Sequence, residues 1–183
     1  MSDMQYLLGR RRAAWHLMLT MLALVSGAAG AQSPDEWNDE LVEHLTGMWK
    51  LEGTVMGHTA HHDIRARWVL NHQFLNIQER TAANAPDSEH RYQASWFLGY
   101  DGVSDRYVLH LLDVFGARLS ETLGYGTRDG SSIQFLFEYP DGPFHTTFRW
   151  QPQSNSWRWL MEQKDKAGKW MTFADLTLTR LPP

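Results

Sequence analysis

The chain has no cysteine, so neither a disulfide nor a lipid-modified cysteine anchor is available to it, and its fold rests on its core alone. No repeat or low-complexity tract appears. Nucleophile elbow, phosphate loop, zinc-protease helix and a recognisable catalytic triad are all missing. Gly124-Tyr125-Gly126 with Gly130 has the wrong spacing for a dinucleotide loop and leads into a strand instead of a helix. Long apolar runs are equally scarce. The one candidate, Trp15 to Val25, is too short for a stable membrane span.

That run follows Arg10-Arg11-Arg12 and precedes the small residues Ala29-Gly30-Ala31, the pattern of a secretory signal peptide. The adjacent arginines raise the twin-arginine route, but Arg11-Arg12-Ala13-Ala14-Trp15 lacks its flanking pattern. Residues 1–31 therefore read as a cleaved leader and 32–183 as one domain of 152 residues, periplasmic or secreted. The mature part holds 14 basic and 20 acidic residues, a net charge of −6. Such a balance argues against nucleic acid or an anionic membrane surface as a partner.

Helix signals are few. Ser33-Pro34-Asp35-Glu36 forms a capping box, and Trp37, Leu41 and Leu45 fall four apart, which predicts a helix of about three turns that Gly47 ends. Everything beyond alternates or runs apolar in short pieces. The predicted strands are 47–56, 62–70, 73–81, 91–100, 106–115, 118–127, 131–139, 143–151, 157–165 and 169–181. Asp101-Gly102, Asp129-Gly130 and Asp141-Gly142 mark hairpins between them. Sequential antiparallel strands with one short helix imply an all-β, up-and-down barrel, because closure is how a meander removes its edges. Eight tryptophans in the mature part suit a small barrel whose interior must be filled or lined.

Turn lengths assign faces. A three-residue loop at Arg128-Asp129-Gly130 sets Tyr125 opposite Ile133, a tight Gly116-Ala117 turn sets Leu123 opposite His110, and the Asp141-Gly142 turn pairs Tyr139 with Phe144. On that register Trp96, His110, Glu121, Tyr125, Trp159 and Gln163 face inward and would line a ligand site, with His110 and Glu121 as a buried His–carboxylate pair. Gln134, Glu138, His145, Arg149, Arg158, Glu162 and Lys164 face water, and the Glu138–His145–Glu162 row reads as surface pairing. His58, His61 and His62 read as a solvated cluster, not a metal site, since adjacent strand residues point to opposite faces. Val108 and Leu112 with Leu109 and Leu111 make strand five apolar on both faces, so that its outer side would be covered, as by a second copy in a homodimer.

Gly47-Met48-Trp49 in the first strand and Arg180 in the last match the barrel closure of lipocalin-like proteins, where the Trp packs under the Arg. With Leu45-Thr46, Gly99-Tyr100-Asp101, Leu112-Asp113-Val114-Phe115-Gly116 and Leu178-Thr179-Arg180, the chain resembles a bacterial lipocalin-like family of unknown function within the calycin group. The resemblance implies an antiparallel barrel and no assigned chemistry. Gly47, Trp49 and Gly53 are also similar to the opening of nitrobindin-like haem barrels, but Leu51 stands where a glycine is expected. Those barrels place an iron-ligating His near the last strand, and Phe173 to Leu178 contains none. The expected function is binding of a small hydrophobic or amphipathic molecule, with no cofactor. The alternatives are a haem or acid–base site using His110 and Glu121, and a homodimeric interaction protein.

Overall fold

The structure, a computed structural model, describes residues 36–86, 89–116 and 119–182. A four-residue helix, α1 (Glu40–Glu43), precedes ten strands: β1 (Gly47–Val55), β2 (His58–Val69), β3 (Phe74–Thr81), β4 (Gln93–Asp101), β5 (Arg106–Asp113), β6 (Leu123–Asp129), β7 (Ser132–Tyr139), β8 (Gly142–Gln151), β9 (Ser156–Lys164) and β10 (Trp170–Arg180). Each strand pairs antiparallel with its sequence neighbours, and β1 pairs with β10, so the sheet is a closed up-and-down barrel. The alternation in the sequence becomes an inside and an outside. Trp49 and Leu51, Leu75 and Ile77, Phe135 and Phe137, Trp157 and Trp159, Leu176 and Leu178 face the interior and form one continuous core cluster.

The helix is shorter than its apolar spacing predicts. Asp39 is its N-cap, its Oδ1 accepting from the backbone N–H groups of Leu41 (2.9 Å) and Val42 (3.1 Å). The predicted capping residues Ser33 and Pro34 lie outside the described residues. Trp37 sits before the helix and packs edge-on against Trp68, which accounts for its apolar character without a helical turn.

One end of the barrel, the floor, is sealed by the closing strand pair. Trp49 lies opposite Arg180, whose guanidinium stacks 4.1 Å from the fully buried indole. Arg180 also donates to the carbonyls of Thr46 (2.8 Å) and His44 (2.6 Å), which leave the C-terminal end of α1, and Trp49 Nε1 donates to Leu45 O at 2.9 Å. Tyr107 donates to Asp39 Oδ2 at 2.5 Å; burial and then that carboxylate push its phenol up to about 12.

Register differs from expectation around β6. The β6–β7 hairpin closes on Asp129 and Ser132 with a two-residue turn, so Tyr125 pairs with Leu136 and not with Ile133. That is an odd displacement, and in a strand an odd slip exchanges faces. His110 does pair with Leu123, so β5 and β6 turn over together. The interior of this wall is Leu109, Leu111, Gly124 and Gly126. The glycines are required there: a Cβ at Gly124 would lie 2.5 Å from the Phe137 ring and one at Gly126 2.6 Å from Phe135. β6 begins at Leu123, five residues later than predicted, after a longer β5–β6 connection. Across β7–β8 Tyr139 meets Gly142 and Phe137 meets Phe144, an even displacement that keeps the faces as predicted.

Candidate functional site

The end opposite the floor, the mouth, is framed by the connections β1–β2, β3–β4, β5–β6, β7–β8 and β9–β10. Below it the apolar interior is interrupted. On β2 the residues Ala60, His62, Ile64 and Ala66 are buried, and on β3 Leu75, Ile77, Glu79 and Thr81. The same parity that buries the aliphatic residues thus drives His62 and Glu79 inside, 6% and 4% exposed. They meet: His62 Nδ1 lies 2.6 Å from Glu79 Oε1, while Glu79 Oε2 accepts from Trp96 Nε1 at 3.0 Å. Both oxygens of a buried carboxylate are thereby engaged, the condition under which burial is tolerated.

The β3–β4 connection adds a second carboxylate from above. Glu89 Oε1 accepts the His61 backbone N–H at 2.9 Å, its Oε2 lies 3.0 Å from His61 Nδ1, and its Oε1 is 3.4 Å from His62 Nε2. Burial pushes the Glu89 carboxyl up, but the His61 backbone and ring hydrogen bonds and the nearby His62 outweigh it and hold the group below the usual carboxylate range. Tyr92 stacks on His62 at 5.7 Å between centroids. Burial, then the Glu79 and Asp113 carboxylates, raise its phenol far above the ordinary value, so it stays a proton donor at any physiological pH.

Two neighbouring interior groups have no partner. Trp159 Nε1 and Thr146 Oγ1 are buried without a hydrogen bond, on side chains that are fully buried. They are diagonal neighbours on β8 and β9, Thr146 opposite Met161 and Phe148 opposite Trp159. The Trp159 ring meets Trp96 edge-on at 5.0 Å, which links the unpaired groups to the Glu79 carboxylate.

Of the six residues expected to line a site, Trp96 and Trp159 lie in the interior, in contact. Gln163 lies opposite Phe144 at the mouth and is exposed. The other three are corrected by the turned-over strands. His110 is exposed on the outer wall beside Phe74. Tyr125 is outside too, under the Arg106 guanidinium at 3.4 Å. Glu121 is half-buried in the β5–β6 connection, where its Oε1 accepts the Thr122 N–H at 3.1 Å. A buried His–Glu pair does exist, but it is His62–Glu79. His62 is accordingly no part of a solvated loop; His61 and His62 do take opposite faces of β2.

Among the described residues no group of three or more His, Asp or Glu side chains is arranged to hold a metal ion. The interior does not suit axial haem ligation either: among the described residues His62 is the one buried histidine, and both its ring nitrogens face carboxylates. Two concavities lie elsewhere. One of about 420 Å³ at the floor rim is lined by Trp37, Tyr100, Tyr107 and Arg128, and one of about 710 Å³ follows the outer wall along Arg65, Gln78, Arg80 and Ser95. No protein-family model matches the chain, and comparison with the curated proteins finds no significant match.

Proposed function

We propose that the barrel binds a small, mostly apolar molecule carrying a hydrogen-bond acceptor, held in the interior beside Trp96 and Trp159. The observation that carries this reading is the unpartnered pair Trp159 Nε1 and Thr146 Oγ1. An unmet buried donor costs about 1–3 kcal/mol, and a ligand carbonyl or ether oxygen accepting from both removes that cost. The surrounding aromatic and aliphatic wall supplies the apolar contacts, and the His62–Glu79–Trp96 triad supplies a fixed polar boundary. The calycin-like resemblance and export after cleavage near Ala31 belong to the same proposal; N-terminal sequencing of the mature protein checks the latter.

Native mass spectrometry of the protein from its own host should show an added small-molecule mass. Thr146→Val, which keeps the shape and removes the hydroxyl, should reduce the loaded fraction severalfold. An unloaded wild-type protein, or a load indifferent to Thr146→Val, overturns the proposal.

One observation favours a second reading, self-association through the outer wall. Phe74, Val108, Tyr125 and Leu136 lie on one outward row across β3 to β7, Gly99 intervening, with Leu112 57% exposed alongside. Sedimentation at increasing concentration decides it: a persistent monomer excludes this reading.

A further inference from the structure

We propose that the mouth end docks on a lipid surface bearing anionic headgroups, independently of what the interior holds. The chain has four lysines, Lys50, Lys164, Lys166 and Lys169; Lys164 ends β9, and Lys166 and Lys169 lie on the short β9–β10 turn that follows. Lys50 is paired with Asp63 at 2.7 Å. Among the described residues none of the three mouth lysines makes an ion pair. The carboxylate between them, Asp165, is turned to its own backbone and accepts from the N–H groups of Ala167 (2.8 Å) and Lys169 (2.9 Å).

The same rim is apolar. Met171 follows the turn and is 47% exposed, and Lys164 Nζ lies 5.1 Å over the Trp170 ring. The next connection round the barrel, β1–β2, presents Met56, which is joined to this edge by its N–H to Phe173 O at 2.7 Å and is 66% exposed. On the β5–β6 connection Val114, Phe115 and Leu119 are all more than half exposed. Apolar side chains thus project from both sides of one opening, beside three unpaired ammonium groups and an indole. A planar surface with an apolar depth and negative charges at its boundary satisfies all of these together. The floor exposes Leu70 and Val103 but has no lysine on its connections, and its Asp101, Asp105 and Asp129 lie beside Arg106 and Arg128.

The net charge of −4 over the chain, or −6 over residues 32–183, argues for repulsion only if charge is spread evenly. Screening limits a charge's reach to about 8 Å at physiological salt, so a surface meets the charge of the end it touches, not the sum over the molecule. That end holds the lysine cluster. Of the described carboxylates on its connections, Glu89 is tied to His61 and His62, Glu121 to the Thr122 N–H and Asp165 to its own turn, with Asp141 on the neighbouring β7–β8 turn.

The test is co-sedimentation of the full chain with phosphatidylcholine vesicles, with and without phosphatidylglycerol. Binding should require phosphatidylglycerol and weaken with salt. The triple change Lys164→Glu/Lys166→Glu/Lys169→Glu should weaken it about a hundredfold, and Phe115→Ser/Leu119→Ser by about tenfold or more. Both variants change exposed side chains, and an unaltered unfolding midpoint confirms that each is folded. Absence of binding to phosphatidylglycerol vesicles overturns the proposal. So does binding undiminished by both variants, which another segment, residues 1–31 included, would then carry.

Discussion

The floor and the mouth of this barrel are built from the same ten strands, yet they treat polar groups in opposite ways. At the floor the Trp49, Trp157 and Arg180 donors all find backbone carbonyls of residues 44–46, so the sealing layer itself is satisfied, Arg106 Nε at its rim being buried 3.7 Å from the Asp101 carboxylate without a hydrogen bond. Toward the mouth a histidine and two carboxylates are drawn inward, an indole and a hydroxyl stay unpaired in mid-barrel, and apolar residues and lysines point out at the rim. A satisfied end holds a fold shut; an unsatisfied one has something left to bind with.

The largest expected effect tests the floor. Trp49→Ala removes a fully buried indole and the platform under Arg180 and should lower unfolding stability by about 3–5 kcal/mol in a denaturant titration. A loss below about 1 kcal/mol would break the picture of a sealed floor. Next is Glu79→Ala, which strands His62 Nδ1 and Trp96 Nε1 in a dry interior. A cost of about 2–4 kcal/mol is expected from chemical unfolding, and a neutral outcome would mean that water reaches the pair.

Thr146→Val has the opposite sign. Its hydroxyl has no partner within the protein, so the valine should raise stability in the absence of ligand by about 0.5–1 kcal/mol while weakening ligand retention. A destabilised variant would place a structural partner on that oxygen. The smallest effect is pH-dependent. Because the Glu89 carboxyl is held below its ordinary value of 4.5 in the folded state, its contribution is complete above that pH and is lost as pH falls through the lower folded value. Thermal unfolding of Glu89→Gln, followed downward from pH 6, should show a shallower decline than wild type in that acid range. Parallel curves would detach Glu89 from His61 and His62.

How much of this was legible in the sequence depended on what decided each feature. Strand count, closure and the Trp49–Arg180 seam were readable because alternation and turn chemistry are local, and because a meander has few ways to hide its edges. The orientation of β5 and β6 was not. Leu109, Leu111, Val108 and Leu112 make β5 apolar on both faces, so only the length of one hairpin loop distinguished inside from outside, and a single residue in that loop moved both strands. The Tyr100–Tyr107 and Trp96–Leu111 pairings across Asp101-Gly102 carry the right orientation, since an inward Trp96 brings Leu111 inward with it. Gly124 and Gly126 were the other signal, two small residues facing Phe137 and Phe135. The His62–Glu79 pair was hidden for a different reason. Its partners lie 17 residues apart on separate strands, and a histidine beside other histidines reads as solvent-facing until the parity of Ala60, Ile64 and Ala66 is followed through it.

The closing seam also governs how the chain reaches this state. Arg180 bonds to carbonyls 134 and 136 residues earlier in the chain, so the contacts that finish the barrel are among the most distant it can make. Until they form, β1 and β10 are two unpaired edges, each able to recruit a strand from another molecule. Folding is therefore expected to be slow for a domain of this size, and a chain cut short before Thr177 should survive as aggregate rather than as a smaller barrel.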